Sequence, residues 1–176
     1  MRVVKGCFVV GLAIAAATPG ALAIELVDSV FQVSFTRDGQ SFVYNDNIVP
    51  LLPGNACYNW YGRAAEAAAP IVVVERMTLP EAVDWSAVES DPNSPTEIEN
   101  AGTVAVTTLP MTTDSEGWFS HGWCVAEGDP VGQHSIEVAV DGNPVAAFYF
   151  EVVPENMYTF AATSPDYVSR SANDVW

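Results

Sequence analysis

Apolar and polar residues alternate with a period of two through most of the chain, and Gly, Pro and Asn punctuate the runs. That pattern reads as short β-strands joined by turns. Leu26 to Phe35 alternates in part, with Val30 or Phe31, then Val33 and Phe35, as candidates for an inner face. Asp38-Gly39 supplies the positive φ of a tight hairpin, and Ser41 to Tyr44 is the predicted return strand. Asn45 to Asn47 reads as a turn and Pro50 to Asn55 as a loop. In the next strand Ala56, Tyr58 and Trp60 share one face, and Cys57, Asn59 and Tyr61 the other. Arg63 to Ala69 fits a helical turn or a loop equally well, because Ala and Glu favour helix but Pro70 follows closely. Ile71 to Leu79, β-branched at its start, is the strongest strand.

Residues 80–101 form the longest irregular segment. They hold Pro80, Pro92 and Pro95 together with Glu81, Asp84, Glu89, Asp91, Glu97 and Glu99. An acidic loop of that length is usually functional or mobile. Thr103 to Leu109 returns to strand, and Pro110 to Glu116 reads as a turn region. Gly117 to Val125 is a strand, or two half-strands broken at Gly122, and Glu127 to Pro130 is a turn. The closing hairpin is the clearest unit. Ile136, Val138 and Val140 share a face, Asp141-Gly142-Asn143 turns, and Val145 to Val153 returns with apolar residues on both faces. Pro154 ends it, and residues 155–176 form an irregular tail. Seven or eight short strands with one inter-strand cysteine pair imply an all-β, antiparallel two-sheet sandwich with one long acidic loop.

The stretches IVPLLPGNACYNW, GWFSHGWCVAEGDPVGQHSIEVAVDG and NPVAAFYFEVVP resemble bacterial secreted immunoglobulin-like domains of unknown function. The resemblance covers roughly residues 25–154 and implies an immunoglobulin-like sandwich, with no functional residues to carry over. An antibody-type domain is not expected. Its core Trp lies well downstream of the first Cys, whereas Trp60 follows Cys57 by three residues.

The first 23 residues read as an address. Arg2 and Lys5 precede an apolar stretch from Cys7 to Ala17, then Thr18-Pro19-Gly20 and the small-residue site Ala21-Leu22-Ala23. This is the three-part pattern of a secretory signal peptide. The apolar stretch is well short of the roughly 20 residues of a spanning helix. The expected organisation is a signal at 1–23, a sandwich domain at 24–154 and a tail at 155–176. No transmembrane segment is expected after cleavage, and the expected location is periplasmic or extracellular.

Charge narrows the partners. The chain carries 6 basic and 22 acidic residues, a formal charge of −16. Cleavage would leave Arg37, Arg63, Arg76 and Arg170 against those 22 acids, a charge of −18 with no lysine. A nucleic-acid partner is not expected, because the chain offers no basic footprint. Self-repulsion should make the fold more stable as NaCl rises, levelling off near 1 M, where the Debye length is about 3 Å. Melting temperature against NaCl, and against CaCl₂ at matched ionic strength, checks this. A saturable extra increment with calcium would mark a real site in segment 80–101. A flat response to both salts would contradict the electrostatic reading.

Candidate chemistry is sparse. In an oxidising compartment Cys57 and Cys124 read as a disulfide. Ser120 beside His121 lacks the spacing of a nucleophile turn, and on a strand the two point to opposite faces. His121, Cys124, His134 and Met157 are the residue types of a copper site, but Cys124 has Cys57 as its partner, so we expect two surface histidines instead. The acidic segment supplies oxygens for calcium without a recognised loop motif. No catalytic residue, cofactor or metal site is therefore assigned. Trp60, Trp85, Trp118 and Trp123 remain as a candidate binding surface for a protein or carbohydrate ligand, since exposed rings stack on sugars or dock partners. Trp118 and Trp123 lie five apart, so on an unbroken strand at most one faces the core. The expected function is an exported, non-catalytic module for binding or scaffolding. The alternatives are a calcium- or copper-carrying sandwich, or an enzyme with an unrecognised site.

Overall fold

The computed structural model describes residues 24–87 and 91–158; the predicted signal and nearly all of the predicted tail lie outside them. The described chain is all-β, with two sheets packed face to face. Its strands are β1 (Leu26–Arg37), β2 (Gln40–Tyr44), β3 (Ile48–Leu51), β4 (Ala56–Ala64), β5 (Pro70–Thr78), β6 (Thr96–Glu99), β7 (Val104–Thr112), β8 (Trp118–Cys124), β9 (Gly132–Val140) and β10 (Asn143–Pro154). Sheet 1 has the order β2-β1-β4-β8, and sheet 2 the order β3-β10-β9-β5-β7-β6. All pairings are antiparallel except β3 with β10, which is parallel.

Turn chemistry sets the hairpins. Asp38 and Gly39 (φ 52° and 75°) and Asp141 and Gly142 (φ 49° and 81°) all adopt the left-handed backbone that a two-residue hairpin turn requires. The alternation in β4 is complete: Ala56, Tyr58, Trp60, Gly62 and Ala64 are buried and the residues between them half-exposed. In β1 the inner face is Phe31, Val33 and Phe35, while Val30 faces outward with Gln32 and Ser34. Across the interior, Phe150 of β10 packs on Phe31 (4.9 Å between ring centroids) and Tyr58 (4.7 Å), and within its own sheet it stacks on His134 of β9 (5.1 Å). Such ring pairs add about 0.5–1.5 kcal/mol each beyond area burial.

Several sequence expectations are corrected. The segment around Pro50 is not a loop throughout: Ile48–Leu51 forms the edge strand β3, where a proline is tolerated. The stretch from Arg63 holds no helical turn; β4 continues through Ala64. Pro110 lies inside β7, paired with Val72, at a point where β6 no longer covers that strand's other side. Segment 80–101 contains β6 and two short 3₁₀ turns, Trp85–Ala87 and Asn100–Gly102. Strand β8 is unbroken at Gly122.

Candidate functional site

The outward residues of sheet 1 do not form a flat solvated face. They floor a trough of about 680 Å³ that runs across all four strands. Its polar groups are amides and hydroxyls: Gln32 and Ser34 from β1, Ser41 from β2, Asn59 from β4, and Asn55 from the loop before β4. Of the aromatic residues that line it, Phe35, Phe42, Tyr61, Trp118 and Trp123, Tyr61 of β4 and Trp118 of β8 lie on the outward rows, and both are half-buried. The Cys57–Cys124 bridge lies in the same floor. Among the described residues no Asp, Glu, Lys or Arg lines it, although the chain carries 22 acidic residues.

Close backbone approach shapes the floor. A Cβ on Gly122 would lie 1.9 Å from Asn59 Oδ1 and 2.6 Å from the Tyr58 carbonyl oxygen. Only glycine lets the Asn59 amide lie across the neighbouring strand. The side chains of Asn59 and Ser34 make no hydrogen bond among the described residues. Tyr61 Oη approaches Gln32 Oε1 at 3.5 Å, and Gln32 Nε2 donates to Asn45 Oδ1 at 3.3 Å. The Arg63 guanidinium lies 5.5 Å from the centre of the Trp118 ring, a cation–π distance that holds the indole in place.

Directly behind this floor is a fully buried carboxylate. Glu75 lies on β5, in the inward row of Ile71, Val73 and Met77, and has no exposed surface. Burying an unpartnered charge would cost several kcal/mol or more, and this one is partnered from the opposite sheet. Trp60 Nε1 donates to Oε2 and Trp123 Nε1 to Oε1, both at 2.5 Å. His121 Nδ1 is 2.9 Å from Oε2. Glu75 thus joins β5 to β4 and to the edge strand β8, the two strands that carry the trough's rings. Trp85 closes the outer side of this cluster. Its indole meets Trp123 edge-on at 6.1 Å and donates to the Gly102 carbonyl at 2.8 Å.

A family model for the PM0630 beta sandwich domain matches residues 29–153, which include both sheets and the trough. The chain belongs to this family. Among solved structures, an immunoglobulin-like protein from Pseudomonas aeruginosa is 9% identical, with a TM-score of 0.45. The alignment covers 76% of this chain and 99% of that one. The alkylpurine DNA glycosylase AlkC of Pseudomonas fluorescens, bound to DNA containing an abasic site analogue, is also 9% identical, with a TM-score of 0.39. That alignment covers 74% of this chain and 30% of AlkC. No curated protein matches the sequence.

In this PM0630 domain the four tryptophans chosen from the sequence separate. Trp60 is 1% exposed and is a core residue, because it lies on the inward row of β4, stacked on Phe148 and edge-on to Phe119. Trp123 and Trp85 belong to the cluster over Glu75. Trp118 points outward into the trough. The choice of four tryptophans leaves out Tyr61, and a reading by rings misses Asn59 and Gln32, all at ordinary outward positions of their strands. It also misses Glu75, although the period-two count from Ile71 places it on the apolar row.

The histidines are not the surface pair expected. His121 bonds Glu75 from sheet 1, and His134 lies in sheet 2, 4% exposed and stacked on Phe150. Cys124 is bonded to Cys57, so the copper-type set is not assembled. Among the described residues no three His, Cys, Asp or Glu converge as a metal site. Burial lowers the His134 pKa below its usual value, opposed in part by the Gly132 carbonyl and by Asp129. The sign is fixed by linkage. Near neutrality His134 is uncharged in both states; below the unfolded pKa, about 6.5, the unfolded chain gains a proton that the folded chain resists. Stability should therefore fall as pH drops below about 6.5, and His134→Gln should flatten that part of the profile. Urea midpoints at pH 7.5, 6.5 and 5.5 for both proteins test it, and parallel profiles would contradict it.

Proposed function

We propose that the protein is an exported, non-catalytic module that binds its ligand in the trough on the outer face of sheet 1. The trough itself carries the reading: a recessed sheet face with two outward rings, an amide without a side-chain partner and, among the described residues, no ionic group in its lining, in a domain that is otherwise strongly acidic. Polar side chains without protein partners in a concavity supply orientation, and rings supply contact area. Export is supported by the signal-like leader, which lies outside the described residues, and by the disulfide, which suits an oxidising compartment. Among the described residues no helix is long and apolar enough to cross a membrane.

A non-catalytic role is supported by where the titratable groups lie. Glu75 and His121 are engaged with each other and with two indoles on the far side of the floor, not converging on the trough as a reaction would need. A second hollow of about 520 Å³ on the outer face of sheet 2 has no ring, and Arg76 and Glu137 line it.

Mass spectrometry of the exported protein should find Ile24 at its terminus. Retention of the mature protein on an array of oligosaccharides and peptides should fall at least tenfold on Trp118→Ala or Tyr61→Ala. The retained ligand should be recovered chemically unchanged. Retention that survives both changes but is lost on altering Val74 or Ala147 would overturn the assignment to sheet 1.

A further inference from the structure

We infer that the ligand of the trough is an uncharged oligosaccharide. This rests on the trough being the binding site and specifies the chemistry that would occupy it.

The first argument is charge. The floor lacks an ionic side chain, while the mature sequence would carry about one basic residue for every five or six acids. The cation beside the floor is Arg63, whose guanidinium is already placed over the Trp118 ring, and an anionic glycan would approach a domain surface that is mostly of like sign. A cationic ligand would find no carboxylate in the floor, because Glu75, the carboxylate directly behind it, is wholly buried and bonded elsewhere. An uncharged ligand loses nothing by either absence.

The second argument is the pairing of group types. Sugar rings present a C–H face and an equatorial rim of hydroxyls that both donate and accept. The C–H face suits an indole or phenol ring. The rim suits amides, which offer an acceptor oxygen and two donor hydrogens on one planar group, and hydroxyls, which do both. Trp118 and Tyr61 supply the faces; Asn59, Gln32, Ser34 and Asn55 supply the rim. Among the described residues the side chains of Asn59 and Ser34 have no hydrogen bond to give up first.

The third argument is shape. Three spacings between four strands at about 4.8 Å give a floor about 14 Å across, open along its length. That accommodates a short run of linked rings lying flat. An extended peptide would instead seek unpaired backbone groups, and these lie at the sheet edges along β2 and β8 and not on its face.

Isothermal titration of the mature protein tests this with cellohexaose, xylohexaose, chitohexaose and maltohexaose as neutral probes. Oligogalacturonate and a heparin hexasaccharide serve as acidic probes, and a ten-residue peptide of Ser, Thr and Val as the extended-chain probe. At least one neutral probe should bind saturably, with an affinity that changes less than twofold between 20 and 500 mM NaCl. Trp118→Ala and Tyr61→Ala should each weaken it at least tenfold, and Asn59→Ala several-fold, with circular dichroism and melting temperature confirming intact folds. Binding by none of the neutral probes, or by acidic probes alone, would overturn the inference. Peptide binding that is lost in Trp118→Ala would overturn the glycan assignment and leave the trough as the site. Neutral-glycan binding indifferent to both ring substitutions would overturn the trough itself.

Discussion

Glu75→Ala should cost roughly 3–5 kcal/mol, a large part of the 5–15 kcal/mol that holds a typical domain together. Two effects add. The substitution leaves the Trp60 indole N–H, 1% exposed as a residue, without an acceptor, and it strips Trp123 and His121 of theirs. It also opens a cavity between the sheets, where large-to-small changes cost about 2–5 kcal/mol. Glu75→Gln separates the two. The amide keeps the volume but offers one acceptor oxygen where both carboxylate oxygens now accept indole N–H groups, so one donor faces another. That mismatch should cost about 1–3 kcal/mol, the usual penalty for a buried unsatisfied group. Urea denaturation of the three proteins measures both steps. Trp60→Phe combined with Glu75→Gln should cost less than the sum of the single changes, since the removed donor no longer needs its acceptor. A Glu75→Ala protein within about 1 kcal/mol of the parent would mean that water replaces the carboxylate, and the account of the cluster would fail.

Where strands are paired on both sides, their faces are legible in the sequence. Tyr58 and Trp60 are assigned to one face of β4 and Ile136, Val138 and Val140 to one face of β9 by period alone, and both rows are buried. The Asp-Gly turns are legible because their backbone needs are local. The edges are not. β3 is four residues long, contains Pro50, and pairs in parallel with Glu151–Pro154, about a hundred positions away. Nothing local distinguishes it from a loop. β6, with the sequence Thr-Glu-Ile-Glu, is short, acidic and paired on one side only, so its alternation is hidden inside an acidic segment.

The site divides in the same way. The spacing of Trp118 and Trp123 puts the two rings on opposite faces of one strand but does not say which of them is outward. The trough cannot be read, because Gln32, Ser34, Asn59 and Tyr61 occupy positions that on a flat sheet would simply be wet. They become a site through the lateral order β2-β1-β4-β8, which no single strand encodes. Glu75 shows the opposite failing. Its inward position follows from the alternation, but a carboxylate on an apolar row argues against the strand register until its donors are found, and those lie on β4 and β8 in the other sheet.

Replacing Cys57 or Cys124 by Ser should cost about 2–5 kcal/mol, and the loss should be felt on one strand in particular. The bridge joins directly opposed residues of β4 and β8 and closes a 67-residue separation. A loop of that length corresponds to roughly 4 kcal/mol in the chain-entropy account. It also pins β8, an edge strand whose only lateral partner among the described residues is β4. Along β8 the bridge at Cys124 is followed inward by the Trp123 and His121 bonds to Glu75, so covalent and polar ties hold the same short strand. Hydrogen exchange should therefore report the loss unevenly. In the Ser variants, amides of β8 and the facing half of β4 should exchange faster by more than the global change accounts for, while β5 and β9 follow the global stability alone. Because Trp118 and Gly122 sit on β8, any trough ligand should bind less tightly to the Ser variants than their fraction folded predicts. A uniform rise in exchange over both sheets would show that the bridge acts only on the unfolded chain, and two reactive thiols in the native parent would remove the bridge altogether.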